Sequence, residues 1–473
     1  MSVPPPAASQ TPSRSFAEEV RQLLRLGGPI ALVQFGMTAL NFVDVAMLGH
    51  HDAKSLPVMA LGATLAWSAT IFCMGALTAV DPLLSQAVGA KDHAAVPRVL
   101  GRGALLAVLL SIPAALLLLP APSWLRLLGQ QESLIPEAAS FARLQAFAIL
   151  PFLWYSLLRS LLSAHARLLP QVLTILGGNL LNALLDWILV FGKLGVPSLG
   201  ATGASLATVF CRWLMLLGLL WFGRKDILPH LRPLAEPAVR ASALALQPVL
   251  RLLRLGTPIG AQFLLEMGVF AATALLIGKL DVQAGVVDAE GPGLGGHQIA
   301  IQLATLSFMV PLGLGMAASV RVGWAVGRGD LTGVRRAVAA ALTCGAGVMT
   351  AFMLLFLLVP HTLAGLLCKH PEVLATAVLL IPIAGVFQIG DGLQVVAIGC
   401  LRGLGDVRSP VWANIVGFWV CGLPLGCWLA FAQDQGPAGL WWGLVCGLFF
   451  VAGGLLVVLR WRVREQRQRL AVD

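Results

Sequence analysis

The chain has 473 residues, 58% of them hydrophobic and only 11% charged. A soluble domain carries roughly 25% charged residues, so this chain lacks the polar surface that water requires. Its formal net charge is +10, and the placement of that charge argues against nucleic acid as a partner.

Length alone would accommodate two or three soluble domains. The apolar runs are too long for them, because near-chargeless stretches of 20 or more residues recur throughout. A hydrocarbon core of ~30 Å takes about 20 helical residues to cross. Membrane β-strands would alternate apolar and polar residues, and no such alternation appears. The spacing predicts an all-α polytopic membrane protein with twelve transmembrane helices.

In chain order, residues 1–27 are Pro/Ser-rich and then polar. They lack the apolar core of a cleavable signal peptide and read as a disordered cytoplasmic tail leading into a surface-lying amphipathic helix. Spans follow at 28–49, 56–80, 98–120, 139–162, 170–192 and 199–222, forming an N-lobe over 28–222. Residues 223–256 form a basic linker. A C-lobe over 257–460 holds spans at 257–280, 298–320, 334–359, 374–400, 410–432 and 437–460, and 461–473 close the chain as a second tail.

Placing the N-terminus in the cytoplasm puts 25 Lys and Arg on the inner side and six on the outer, with Arg212 inside span 6. That bias sets orientation, so the basic charge is topological and both termini are cytoplasmic. The eight cysteines are scattered, mostly within spans and without a CxxC. They read as small packing residues. Gly291-Pro292-Gly293-Leu294-Gly295-Gly296 fits G-x-G-x-x-G, but no strand precedes it, so it reads as a flexible outer turn. No Walker A lysine motif and no soluble segment large enough for a catalytic domain is present. An ATP-driven pump and an enzyme are both disfavoured, and no cofactor is expected.

The chain also resembles itself. Arg25-Leu26-Gly27-Gly28-Pro29-Ile30 returns as Arg254-Leu255-Gly256-Thr257-Pro258-Ile259, an offset of 229. Ala87-Val88-Gly89 returns as Ala325-Val326-Gly327 at 238, and Pro170 returns as Pro410 at 240. A six-helix unit re-enters the membrane in the same orientation, so the two bundles should be related by a pseudo-two-fold along the membrane normal.

The informative residues are acids inside spans: Asp44, Asp186, Glu266 and Asp391. An ionised carboxylate at the bilayer centre costs about 2.5–3.5 kcal/mol even on the lenient insertion scale. Such groups must face protein or water, where low dielectric favours binding a proton or a cation. Asp44 and Asp186 lie at similar depth near the outer ends of spans 1 and 5 and could converge; simple hydration at the interface is the plainer alternative. Asn179 and Asn182 share span 5 with Asp186, and Gln34 and Asn41 share span 1 with Asp44. Glu266 sits one turn beyond Gln262, while Gln388 and Gln394 flank Asp391. Carboxylates beside amide oxygens suit Na⁺ or a proton relay. Glu266 and Asp391 are thus the candidate Na⁺ ligands. Asp81 reads as a helix-end polar group, and Arg212 as the only basic residue well inside a span.

These residues resemble the multidrug and toxin extrusion (MATE) family, in particular its bacterial NorM-type branch. The resemblance is carried by Asn41-Phe42-Val43-Asp44, Gln86-Ala87-Val88-Gly89-Ala90, Gly200-Ala201-Thr202-Gly203-Ala204, Asp391-Gly392-Leu393-Gln394 and Leu401-Arg402-Gly403-Leu404-Gly405-Asp406, and it covers about residues 20–460. It implies a V-shaped pair of bundles in the bacterial inner membrane, acting as a monomer. It also implies export of cationic, aromatic drugs in exchange for Na⁺ or H⁺. Asp44 resembles the family's span 1 coupling aspartate, and Glu266 and Asp391 resemble the NorM-type acidic pair. Asn182-Ala183-Leu184-Leu185-Asp186 looks more like the DinF-type branch, which leaves the coupling ion open. The competing expectation is a flippase for lipid-linked or polysaccharide substrates.

Overall fold

The computed structural model describes residues 15–52, 54–285, 291–465 and 470. Among these, twelve helices are long and apolar enough to cross a membrane. In chain order they are α1 Phe16–Gly49, α2 Ser55–Gly89, α3 Ala95–Leu118, α4 Ile135–Ala164, α5 Leu169–Phe191, α6 Gly200–Phe222, α7 Leu246–Gln283, α8 Pro292–Gly327, α9 Leu331–Leu358, α10 Pro371–Gly403, α11 Ser409–Ala432 and α12 Gly436–Arg464. The described residues contain no strand. Each expected span is present, and most run longer than their apolar stretch.

Short polar caps set the corners. Ser15 accepts the Glu18 N–H at 3.2 Å and opens α1. Asp330 accepts the Gly333 N–H at 2.8 Å and opens α9. Asp52 Oδ1 accepts the N–H groups of Lys54 and Ser55 at 2.8 and 2.6 Å, satisfying donors that a helix start leaves unpaired. The Ser55 hydroxyl, donating to Asp52 Oδ2 at 2.8 Å, and then these N–H bonds hold the Asp52 carboxyl below the usual carboxylate range. Asp281 plays the same part for α8, accepting from Gly293 and Leu294 at 3.0 and 2.8 Å. The Gly291–Gly296 run is therefore a capped helix start and not a flexible turn.

Helices α1–α6 pack around one apolar core that includes Val33, Leu84, Leu100, Leu153 and Ile175. Helices α7–α12 pack around another that includes Leu314, Phe356, Leu380, Phe387, Trp441 and Leu448. Two short helices, Arg224–Leu231 and Pro237–Leu244, join the bundles before α7 begins at Leu246. The stretch read as linker thus ends earlier than expected, and 246–256 are the first turns of α7. Helix α11 is irregular: α-helical turns alternate with π-helical ones at Ile415–Gly422 and Trp428–Ala432.

Residues 16–27 also depart from expectation. Residues 1–14 of the tail lie outside the described residues, but Phe16 onward is part of α1 itself and no separate surface helix forms. The reason is amphipathic: Leu23 and Leu26 are buried in the second bundle's core while Arg21 and Arg25 face out. Glu19, only 6% exposed, receives a two-pronged ion pair from Arg321 of α8 at 2.5 and 2.8 Å.

This pair belongs to a seam that joins the bundles on the side carrying both termini. A Cβ at Gly256 would strike the Ala76 carbonyl, and one at Gly313 would lie 2.5 Å from the Ala31 nitrogen; only glycine allows backbones so near. Trp324 Nε1 donates to the Ala164 carbonyl at 2.9 Å. Gln86 donates to the Gly403 carbonyl at 3.0 Å and accepts the Leu470 N–H at 2.8 Å. Farther along α1, Thr38 Oγ1 lies 3.3 Å from Met309 Sδ of α8.

Candidate functional site

Two carboxyl clusters lie inside the bundles. In the first, α1 and α5 bring Asp44 and Asp186 together at 5% and 0% exposure. Asp186 and Asn182 are polar neighbours of the Asp44 carboxyl, and Arg212 is its nearest positive charge. Thr208 Oγ1, on α6, lies 3.0 Å from both Asp44 Oδ2 and the Ala204 carbonyl of its own helix. Arg212 follows Thr208 by one turn and lies 4.9 Å over the Phe152 ring. Asn182 is buried at 1%. Asn179 instead ties α5 to α1, donating to the Gly36 carbonyl at 3.0 Å and to its own helix. Asn41 is exposed.

In the second cluster α7 supplies Gln262 and Glu266, and α10 supplies Gln388, Asp391 and Gln394. Gln394 Nε2 donates to Glu266 Oε1 at 2.8 Å, and the Glu266 carboxyl lies close enough to Asp391 for the two charges to repel. Gln388 donates to the Ser307 hydroxyl of α8. Burial of Gln262, Gln388, Asp391 and Gln394 is nearly complete, at 2%, 0%, 7% and 1% exposed. The side-chain oxygens of Gln388 and Gln394 meet no donor. Buried acceptors without donors are uncommon, and among carboxylates they make a lining that fits a small hard cation or a proton.

The structure places Asp44 beside Asp186 and Glu266 near Asp391, and adds groups that connect these acids to the seam. Gln34 does not join Asp44; it accepts a hydrogen bond from Arg159 of α4. Asp81 is not a free helix-end group, since Arg159 and Arg402 are its charged neighbours and Ser160 its polar one. Arg402, in the last turn of α10, donates to Gln262 Oε1 at 3.2 Å and lies 5.2 Å over the Phe263 ring. Arg212 is therefore not the only basic group within the helices. Arg159, 9% exposed, and Arg321, 6% exposed, are more deeply buried in helices of their own. The signal was available in α4, where Arg159 interrupts the apolar run read as the span 139–162.

Outside the spans, three histidines gather at the linker. The His165 and His230 rings are 4.6 Å apart. Burial, with His165 and His93 nearby, holds His230 below the usual histidine range, while Asp226 opposes the shift.

Comparison with known proteins agrees with this architecture. A MatE family match covers residues 29–188 and 258–428, and its two segments start 229 residues apart, the spacing of the Arg25 and Arg254 repeats. The chain is 35% identical to a probable multidrug resistance protein NorM of Mesorhizobium japonicum, over 97% of both chains. It is 34% identical to the multidrug resistance protein NorM of Burkholderia vietnamiensis, over 95% of this chain and 94% of that one. Among solved structures, the eukaryotic MATE transporter AtDTX14 superposes with a TM-score of 0.84 at 23% identity, covering 96% of this chain and 99% of that one. An outward-facing multidrug resistance MATE family transporter gives 0.81 at 18% identity, covering 97% and 100%. These two structural likenesses show the fold alone. The family match and the near-full-length relatives show more: this chain is a twelve-helix membrane transporter that belongs to the MatE family.

Proposed function

We propose that the protein is a secondary multidrug antiporter that exports cationic, amphipathic compounds in exchange for Na⁺ or H⁺. The observation that carries this reading is the Glu266–Asp391 pair, two electrostatically coupled carboxyls within a bundle among amide oxygens without donors. A drug cation and a coupling ion that compete for such a pair cannot both be held, and mutual exclusion at one site is what antiport by alternating access needs. The Asp44–Asp186 pair is a second place for a proton or a drug cation. With the Lys/Arg-rich face in the cytoplasm, the glycine seam closes the inner side and both clusters belong to an outward-open state. The protein is then a monomeric inner-membrane carrier with both termini inside. It divides into an N-lobe and a C-lobe, and the aromatic drug cations it exports need no cofactor.

A flippase for anionic lipid-linked substrates would need uncommitted cations along its path. Arg159 and Arg402 are instead engaged with Gln34, Gln262 and Asp81, which favours the drug-cation reading.

The test is drug transport by the full chain in proteoliposomes under an imposed Na⁺ gradient at fixed pH, a K⁺ gradient, or a pH gradient. Coupled export under Na⁺ or H⁺ but not K⁺, lost in Glu266→Gln and Asp391→Asn, supports the proposal. Unchanged export by both variants would overturn it.

A further inference from the structure

One residue beside the second cluster is unaccounted for. Asn414, the last residue of the short α-helical segment that opens α11, is 0% exposed, and neither its Oδ1 nor its Nδ2 has a hydrogen-bond partner. Leaving a buried amide unpaired costs about 1–3 kcal/mol, so its place invites a functional explanation.

Packing fixes that place. Trp419 Nε1 donates to the Leu265 carbonyl of α7 at 3.2 Å, and the Phe418 ring lies 6.4 Å from that of Phe270. Helices α7 and α11 are both odd-numbered spans and run in the same direction. Asn414 precedes Phe418 by about one turn, and Glu266 precedes Phe270 by one turn. The two side chains therefore stand level, and Asn414 is a polar neighbour of the Glu266 carboxyl, along with Gln262 and Gln394. Directly after Asn414 the helix widens into the π-helical segment Ile415–Gly422. Segments of this kind recur at functional sites.

The chemistry of the unpaired atoms chooses the ligand. Around the two carboxyls, Gln388 Oε1, Gln394 Oε1 and Asn414 Oδ1 all lack donors. A proton on one carboxyl makes a single O–H donor and can satisfy only one of these three amide oxygens. A small hard cation takes several oxygens at once, neutral ones included. An asparagine can turn its oxygen toward such a cation, or its N–H₂ toward the bare carboxylates once the cation leaves.

We propose that Asn414 is a further ligand at the Glu266–Asp391 site, supplying a neutral oxygen that lets the site hold Na⁺ in preference to H⁺. The inference rests on the reading of this pair as the coupling site, and the experiment separates the two. Equilibrium binding of radiolabelled Na⁺ to the purified full-length protein is measured for the parent, Glu266→Gln, Asn414→Leu and Asn414→Asp. The expected result is a weakening of at least about tenfold in Asn414→Leu, equivalent to one lost ligand of roughly 1.4 kcal/mol. Asn414→Asp, which keeps an oxygen and adds charge, should bind Na⁺ at least as tightly as the parent. Should Asn414→Leu fail to fold, the same measurement on Asn414→Ala decides, with a weakening of about tenfold expected and parent-like binding overturning the role. Parent-like Na⁺ binding in Asn414→Leu, together with its loss in Glu266→Gln, would sink the Asn414 role and leave the coupling site standing. No difference between the parent and Glu266→Gln would remove both.

Discussion

The two acidic clusters differ in depth, in helices and in company. Asp44 lies five residues, about 8 Å of helix, from the end of α1 away from the seam, whereas Glu266 lies about 25 Å from the matching end of α7. The first pair joins α1 to α5 and the second joins α7 to α10, so the duplicated bundles share the first helix of each pair but take the second acid from non-equivalent helices. The first pair has a hydroxyl and a fixed guanidinium, Thr208 and Arg212, at hand. The second has neutral amides, and its nearest guanidinium, Arg402, is hydrogen-bonded to Gln262. A carboxyl pair with a resident cation needs less from outside than one lined by oxygens. The comparison therefore assigns the stronger demand for an external cation to the second bundle.

The largest expected effect tests that assignment directly. A hydrogen bond or ligand contact to a charged group is worth about 1.5–3 kcal/mol. Replacing both Glu266 and Asp391 by amides should therefore lower affinity for the coupling cation about 100- to 10,000-fold. The same double change at Asp44 and Asp186 should lower it less, since Arg212 already offsets part of that charge. Equal losses in the two double variants, read by ion-driven efflux, would erase the distinction.

Next in size is the seam, which both clusters share. Glu19→Ala leaves Arg321 buried without its partner, a loss of about 3–5 kcal/mol that opening of the seam would relieve. Spin-label distances across the seam should shift toward the parted state, and the double variant Glu19→Ala/Arg321→Ala should restore much of the parent distribution. A distribution unmoved by Glu19→Ala would show that the seam's other contacts hold it without the ion pair.

How far the sequence foretold these features depends on the kind of signal each one leaves. The twelve helices were legible because each apolar run is long enough to cross a bilayer, and the acids because a carboxyl stands out against leucine and valine. The helix starts around Phe16 and Leu246 were not legible. There hydropathy falls while helical packing goes on, with Leu23 and Leu252 buried on one face and arginines on the other. Asp81 read only as a helix-end polar group, and Arg159 and Arg402 carried no role, because their partners lie far away in sequence. Asn414 was missed for another reason: a lone amide in an apolar helix carries no pattern until α7 is placed beside it.

A smaller effect concerns Thr208. Thr208→Val removes one neutral donor from Asp44, worth about 0.5–1.5 kcal/mol, so drug affinity at the first cluster should change only a few-fold while Na⁺ binding at the second stays constant. A Na⁺ effect as large as the drug effect would mean that the clusters are not separate sites.

The smallest prediction lies outside both clusters. Because His230 is held below the usual histidine range, its protonation disfavours the folded linker. That contribution to stability is present above about pH 6.5 and declines as pH falls below it. Screening keeps it under about 1 kcal/mol. His230→Gln should narrow the gap in melting temperature between pH 7.5 and 5.5; an unchanged gap would exclude the histidine contact as its source.

Helix α1 has one further consequence. Its first turns contribute Leu23, Leu26 and Ile30 to the second bundle's core, while Val33 belongs to the first. A rod anchored in two bodies resists their separation as a tie-bar does. If the bodies swing apart, the rod must either strip those three side chains from their packing, at about 1.5–3 kcal/mol each, or flex. Pro29 lies immediately before Ile30, four residues short of Val33, and lacks the N–H that would stiffen the ladder there. Flexing at that point costs less, which makes α1 a spring whose stiffness a single residue can set.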